Sequence, residues 1–263
     1  MTAAALVEAV VRDALDDVAR RPLVIGLCGA QGSGKSTVAA AVVEALTASG
    51  LAAATLSLDD LYLTRADRLA LAASVHPLLA TRGVPGTHET SLGLALFAAL
   101  DRGEAVRLPR FDKASDDRAL ESDWEPVAGL DVLIFEGWCV GAIPQAEADL
   151  AIPINALERD DDRDGRWRAS VNTALGGPGY RALFARIDRL VLLAAPGFEV
   201  VAGWRAEQER RGAGVMTAAE VARFVAHYER LTRHILAEMF GCADLVIRLA
   251  PGHSVDPSHA RSV

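Results

Sequence analysis

The feature that most constrains this chain is a glycine-rich segment at residues 29–37, which fits the P-loop pattern G-x-x-x-x-G-K-S. An apolar run at 23–28 precedes it, and a helical pattern beginning at Val38 follows it. The glycines of such a loop let backbone N–H groups turn inward and bind phosphate oxygens at the positive end of a helix dipole. The alternative is a glycine-rich turn that carries Lys-Ser by chance, and the strand–loop–helix context argues against it.

The motif predicts a site for a nucleoside triphosphate. In this pattern Lys35 reaches the β- and γ-phosphates, and the Ser36 hydroxyl ligates Mg²⁺. The residues predicted to contact the nucleotide are Gly29, Ala30, Gln31, Gly32, Ser33, Gly34, Lys35, Ser36 and Thr37.

Five short apolar runs predict the rest of the architecture, at 23–28, 53–58, 131–136, 188–194 and 244–249. Helical patterns lie between them, which favours an α/β fold of the P-loop NTPase type, with a parallel five-stranded sheet and helices on both faces. We expect residues 1–263 to form a single domain. Residues 64–129 are too long for a simple crossover and predict a functional insertion. The tail from Pro251 onward predicts a surface segment.

Composition narrows the function classes. The chain of 263 residues carries a net charge of −8 and has no basic run, which argues against a general nucleic-acid binder. It has neither a signal-peptide pattern nor an apolar run long enough to span a bilayer. The three cysteines, Cys28, Cys139 and Cys242, are far apart and are expected to be buried free thiols, so we predict a reducing cytoplasm.

Carboxylates follow two of the predicted strands. Asp59 and Asp60 end the second strand, where one would accept the proton of an attacking hydroxyl and the other would lie near Mg²⁺ or its waters. Glu136 ends the third strand at a Walker-B position, opposite Ser36 in the magnesium shell. The alternatives are helix-capping acids for the pair and a surface carboxylate for Glu136.

Between those strands lie two clusters rich in candidate anion binders, at 81–89 and 108–113. Arginine offers a rigid fork that suits a carboxylate or a phosphate. The other interpretation is a pair of surface loops with scattered charge, and spacing alone does not decide between them. The candidate residues in these clusters are Arg82, His88, Arg110 and Lys113, and Trp138, after the third strand, is a further candidate; the family resemblance described below implies that such loops hold the acceptor.

Residues 199–217 have the composition of a lid. A helix carrying Arg205 is followed by a break at Gly212-Ala213-Gly214, so its arginines could close on the triphosphate and stabilise transferring charge. We therefore assign Arg205 a catalytic role. The alternative is an exposed helix with ion pairs between successive turns.

Taken together, the motifs resemble plant-type D-glycerate 3-kinase and its bacterial and fungal relatives, within the phosphoribulokinase, uridine kinase and pantothenate kinase group. The resemblance extends from about Leu23 to Arg233. The motifs that carry it are Gly-x-x-Gly-Ser-Gly-Lys-Ser, Ser-Leu-Asp-Asp-Leu-Tyr, Arg-Gly-x-x-Gly-Thr-His-Glu, Leu-Pro-Arg-Phe-Asp-Lys and Phe-Glu-Gly-Trp. Phe111 and Leu61 depart from the family pattern, which has Tyr and Phe there. A tyrosine hydroxyl that touches the acceptor in relatives would be missing at position 111.

The resemblance implies a lid, with ATP and Mg²⁺ as the phosphoryl donor. It also implies that Asp59 is the catalytic base, that Glu136 holds the magnesium shell, and that the loops of Arg82 and Arg110 hold the acceptor. The leading acceptor is D-glycerate, phosphorylated on its 3-hydroxyl. One alternative is a kinase of this fold that acts on a nucleoside, pantothenate or a sugar phosphate. The other is a nucleotide-binding regulator without turnover, against which the paired acids argue.

Overall fold

The computed structural model describes residues 1–211 and 217–256, and side chains are not described for 208–211. Its strands are β1 Leu23–Gly29, β2 Ala53–Ser57, β3 Val106–Leu108, β4 Phe111–Asp112, β5 Asp117–Arg118, β6 Glu125–Val127, β7 Val132–Gly137, β8 Arg189–Ala194 and β9 Leu245–Arg248. Its helices are α1 Ala3–Asp17, α2 Lys35–Ala48, α3 Arg65–Ser74, α4 Thr90–Asp101, α5 Ala156–Asp161, α6 Arg166–Gly176, α7 Pro178–Phe184, α8 Phe198–Arg211 and α9 Ala218–Glu238.

The central sheet has five parallel strands in the order β2-β7-β1-β8-β9. These strands correspond to the five apolar runs, so the predicted α/β parallel sheet is confirmed. Every residue of β1 is buried, as expected for a strand covered on both faces. Successive side chains alternate between faces, so Leu23, Ile25 and Leu27 join one core cluster while Val24 and Cys28 join the other.

Helices cover both faces of the sheet. Helix α1 contacts α2 and buries Val7 and Val11 in the cluster beneath β1. Helix α9 begins at a capping box in which Thr217 and Glu220 satisfy each other's backbone N–H groups. In the described part of the chain, no helix is both long enough and apolar enough to cross a membrane.

The insertion at 64–129 contains α3, α4 and two short antiparallel pairs, β3 with β6 and β4 with β5. Its side chains Leu79, Phe97 and Leu108 are buried in the same cluster as the sheet residue Leu133. This packing fixes the insertion against the sheet. The backbone N–H of Phe111 in the insertion also donates to Asp60, just beyond the carboxyl end of β2, the edge where ligands bind in open α/β sheets.

The prediction of three buried thiols is wrong for one of them. Cys28 and Cys139 are buried, but Cys242 is exposed. Cys242 follows a short 3-10 helix at Met239–Gly241 and precedes β9, so the backbone turns there and leaves the side chain at the surface.

Candidate active site

The P-loop at 29–37 joins the carboxyl end of β1 to the first turn of α2. Gly32 and Gly34 adopt left-handed backbone conformations, with φ of 76° and 83°, which other residues adopt only at a cost. Gly34 is the N-cap of α2, and Lys35 is its first residue. The free N–H groups and positive dipole end of this helix are therefore presented at the loop, as an anion site requires.

A cavity of about 140 Å³ opens beside this loop. The sequence-predicted residues that line it are Gln31, Gly32, Lys35, Ser36, Asp59, Arg82, Lys113, Glu136, Trp138 and Arg205. Four of these side chains are basic and two are acidic, so the cavity is positive although the chain as a whole is acidic. A polyanion is the ligand class that this balance favours.

Ser36 and Glu136 meet at one end of the cavity. The Ser36 hydroxyl donates a hydrogen bond of 2.9 Å to Oε1 of Glu136, although the two residues are 100 positions apart. The second carboxylate oxygen, Oε2, is buried and has no hydrogen-bond partner within residues 1–211 and 217–256. A buried carboxylate oxygen without a donor is costly unless a cation satisfies it. A hydroxyl and a carboxylate are also suitable ligands for Mg²⁺, so this pair fits a magnesium ion.

The P-loop also presents a buried hydroxyl that fits a phosphate. The hydroxyl of Ser33 is buried and without a partner in the described structure. The Ser33 hydroxyl can donate to a phosphate oxygen, as can Lys35, which lines the cavity beside Ser36. The donors needed for a triphosphate are therefore close to the carboxylate that fits its metal.

Asp59 is held at the edge of the cavity by a 3-10 turn, Leu58–Leu61, that begins where β2 ends. Its Oδ1 accepts a hydrogen bond of 2.7 Å from the Tyr62 hydroxyl, and its Oδ2 accepts one of 2.8 Å from Lys113. Burial opposes ionisation, but the charges of Lys113 and Lys35 outweigh it and hold the pKa of Asp59 well below its usual range. Asp59 is therefore an ionised acceptor at neutral pH.

Asp60 points elsewhere and does not line the cavity. Its Oδ1 accepts from the backbone N–H of Phe111 at 3.0 Å, and its Oδ2 accepts from Arg110 at 3.3 Å. Burial raises the pKa of this carboxyl group. These contacts tie the turn after β2 to the β4 hairpin. The predicted catalytic role of Asp60 stays a prediction, and the geometry supplies a structural role instead.

The two arginines predicted to contact the acceptor also differ in whether they line the cavity. Arg82 lines the cavity, pairs with Asp116, and lies 5.5 Å from the ring centroid of Phe111. Arg110 does not line the cavity, because its guanidinium is paired with Asp60 and Glu125. Of these two arginines, Arg82 is therefore the one placed to meet a ligand.

Lys113 and Trp138 both line the cavity. The Asp59 carboxylate raises the pKa of Lys113, which remains a cation. The indole N–H of Trp138 donates a hydrogen bond of 2.7 Å to the Gly83 carbonyl, so the ring itself forms the cavity wall. Both residues therefore lie at the cavity, and their contact with an acceptor stays a prediction.

His88 lies behind the cavity wall rather than in it. Its ring stacks on Tyr62 at a centroid distance of 4.7 Å, and its Nδ1 lies 2.6 Å from the Tyr180 hydroxyl. Burial lowers the pKa of His88 to about 4, so the ring is neutral at physiological pH. His88 packs against Tyr62, and the Tyr62 hydroxyl donates the hydrogen bond that positions Asp59. Direct contact between His88 and an acceptor stays a prediction.

The predicted lid is described only in part. Arg205 on α8 lines the cavity, with its guanidinium 5.1 Å from the Phe224 ring centroid on α9. The break at Gly212-Ala213-Gly214 lies outside the described residues. The structure thus brings Arg205 to the site, while closure of a lid stays a prediction.

Three aromatic residues of the site were not among the predicted contacts: Tyr62, Phe224 and Tyr228. Tyr62 belongs to the Ser-Leu-Asp-Asp-Leu-Tyr motif, so its position beside Asp59 was a usable signal. Phe224 and Tyr228 lie on α9, more than 80 residues beyond Glu136, and nothing in the local pattern separates them from ordinary core aromatics.

Comparisons with known proteins find relatives over most of the chain, although no family model matches it. The chain is 35% identical over 228 residues to a Schizosaccharomyces pombe protein described as an uncharacterized kinase, mug58, and the alignment covers 79% of each protein. It is 32% identical over 228 residues to the chloroplastic D-glycerate 3-kinase of Arabidopsis thaliana. That alignment covers 81% of this chain and 47% of the plant protein, so the chain spans about half of the plant protein's length.

One solved structure is similar to this chain over nearly the whole length of both proteins. It is a D-glycerate 3-kinase from Cryptococcus neoformans var. grubii, with a TM-score of 0.77 and 26% sequence identity. The superposition covers 96% of this chain and 97% of the fungal protein. The similarity therefore extends over nearly the whole of both chains.

Proposed function

The chain belongs to the D-glycerate 3-kinase family of P-loop kinases, and from this premise we propose that it transfers the γ-phosphoryl group of ATP to the 3-hydroxyl of D-glycerate. The observation that carries the proposal is the meeting of three groups in one cavity: the P-loop, the Asp59 carboxylate and the Arg82 guanidinium. The P-loop would bind the phosphates of the donor, Asp59 would accept a hydrogen bond from the attacking hydroxyl, and Arg82 would pair with the carboxylate of the acceptor. The reaction needs all three functions.

Magnesium and ATP would supply the activated phosphoryl group, with the metal held by Ser36 and Glu136. The protein's part is to bind and to orient. The Ser33 hydroxyl, the N–H groups at the start of α2 and Lys35 would bind the phosphates. Because these donors are fixed before binding, little reorganisation is needed as charge develops on the transferred group.

Asp59 would accept the hydrogen bond of the attacking hydroxyl. The lowered pKa of Asp59 makes this carboxylate a weak base that stays ionised at neutral pH. Hydrogen bonds from Lys113 and Tyr62 hold it in place. A weak base is sufficient where the transition state is loose, because the hydroxyl proton then leaves late. Asp59 would therefore orient the oxygen first and receive its proton afterwards.

Arg82 would bind the acceptor carboxylate. A bidentate contact between arginine and carboxylate supplies both energy and orientation, which a small acceptor with little apolar surface requires.

The test is ADP release in the presence of a panel of acceptors: D-glycerate, L-glycerate, glycerol, uridine and pantothenate. We expect the highest kcat/KM with D-glycerate and very poor turnover of glycerol, which lacks the carboxylate. Efficient phosphorylation of glycerol or uridine would refute the glycerate assignment. ATP hydrolysis that no acceptor accelerates would favour a nucleotide-binding regulator instead.

A further inference from the structure

The segment after β9 folds back onto the P-loop. Its chain reverses in a tight turn at 250–254, in which the Ala250 N–H donates to the Ser254 carbonyl at 2.8 Å and the His253 N–H donates to the Ala250 carbonyl at 2.9 Å. His253 has a φ of 65°, a left-handed conformation that is uncommon outside glycine. This conformation directs the imidazole away from the turn and toward residues more than 200 positions earlier in the sequence.

The imidazole binds the backbone of the phosphate loop. Nε2 of His253 lies 2.7 Å from the carbonyl oxygen of Gly32. Because a carbonyl can only accept, Nε2 carries the hydrogen and donates it. The same peptide unit is fixed at its other end, where the Ser33 N–H donates to the Ala30 carbonyl at 3.1 Å. The Gly32–Ser33 peptide plane is therefore held from both sides.

Trp204 of α8 completes the contact. Its ring stacks on His253 with centroids 4.5 Å apart, and its indole N–H donates to the Pro251 carbonyl at 2.7 Å. It also packs directly on the loop, since a Cβ atom at Gly32 would lie 2.6 Å from the Trp204 Cβ. Trp204 thus positions both the turn and the glycine that the turn binds.

We propose that His253 is a positioning residue that preorganises the P-loop for polyphosphate binding. His253 does not line the cavity, so its hydrogen bond directs the Gly32 carbonyl away from the space where phosphates would lie. Without that donor, the peptide can rotate and bring a partially negative oxygen toward an anionic ligand. Ordering the loop would then be part of the binding cost, which preorganisation removes. This inference rests on the proposed nucleotide site.

Two substitutions separate the hydrogen bond from the packing. His253→Phe keeps an aromatic ring against Trp204 and removes the donor. His253→Gln removes the ring and keeps an N–H at a similar reach. Position 253 has a left-handed backbone, which disfavours a bulky side chain such as Phe, so the stability of each variant is measured before its affinity is compared with that of the parent. A loss of affinity in His253→Phe but not in His253→Gln would report the hydrogen bond, because only the first variant lacks the donor.

The measurement is the dissociation constant of magnesium ATP, determined by calorimetry on the full chain. We expect His253→Phe to weaken binding about threefold to tenfold, the effect of one neutral hydrogen bond, and His253→Gln to remain within twofold of the parent. In turnover, His253→Phe should raise the KM for ATP by a similar factor while kcat and the acceptor KM stay within twofold. Equal ATP affinity in His253→Phe and the parent would overturn the proposal.

Two controls keep the outcome interpretable. Thermal unfolding of each variant identifies a loss of affinity caused by misfolding. If His253→Phe proves unstable, His253→Asn replaces it: asparagine tolerates the left-handed backbone, its shorter side chain does not reach the Gly32 carbonyl, and it should raise the ATP dissociation constant about threefold to tenfold. No change in that variant would overturn the proposal. A parent chain that binds no ATP would refute the proposed function itself, which is a different result.

Discussion

Replacing Arg82 with alanine should weaken acceptor binding without affecting the nucleotide. A hydrogen-bonded pair that involves a charged group contributes about 1.5–3 kcal/mol, which corresponds to a change of about 10- to 150-fold in affinity. Arg82 is already paired with Asp116, and the buried Arg68 also holds that carboxylate at 3.0 Å. Asp116 therefore competes with an acceptor for the Arg82 guanidinium, and we expect the lower part of the range.

The expected result for Arg82→Ala is an acceptor KM raised about 10- to 30-fold, with the KM for ATP within twofold of the parent. Steady-state ADP release measures both constants, with one substrate varied at saturating levels of the other. Arg110→Ala is the matched control, because Arg110 belongs to the same insertion but is paired with Asp60 and Glu125 outside the cavity. We expect it to change the acceptor KM less than threefold. An effect of Arg110→Ala larger than that of Arg82→Ala would refute the assignment.

Three further changes test other parts of the site. Asp59→Asn should lower kcat about 10²- to 10⁴-fold while Asp60→Asn lowers it less than tenfold, and the reverse order would mean that the two acids exchange roles. Glu136→Gln should raise the Mg²⁺ concentration needed for half-maximal activity, whereas superimposable Mg²⁺ titrations would return Glu136 to a structural role. Because the folded-state pKa of His88 is about 4, below its unfolded value of about 6.5, the unfolded chain binds the proton first as the pH falls. The unfolding free energy should therefore decrease between pH 6.5 and 4, by more in the parent than in His88→Phe, and equal losses in denaturant titrations would exclude this contribution.

Much of the fold could be predicted because the signals are local. The P-loop is a contiguous motif, and β1 and β7 are continuous runs buried on both faces of the sheet. Ser36 and Glu136 were predictable as partners because parallel strands bring their carboxyl ends to one edge of the sheet. Their 2.9 Å contact agrees with that reasoning.

Local sequence patterns do not separate Arg82 from Arg110, or Asp59 from Asp60, and only the family resemblance favours Asp59 as the base. The two members of each pair are the same amino acid in similar sequence surroundings. Only the packing of the insertion decides which of the two side chains lines the cavity. Likewise, Pro251 onward was expected to be a surface segment because turn-forming residues are typical of surfaces. The contact between His253 and Gly32 joins positions 221 residues apart, and no periodicity or motif indicates it.

The central claim is that this protein transfers a phosphoryl group from ATP to the hydroxyl of a hydroxy acid. The most direct measurement is identification of the phosphorylated product. Phosphorus NMR of the chain with magnesium ATP and D-glycerate should show one phosphomonoester, 3-phosphoglycerate, formed in a one-to-one ratio with ADP. Lys35→Ala, which removes the P-loop cation, should form no product above background. Release of inorganic phosphate alone, or the same phosphomonoester from Lys35→Ala, would contradict the account.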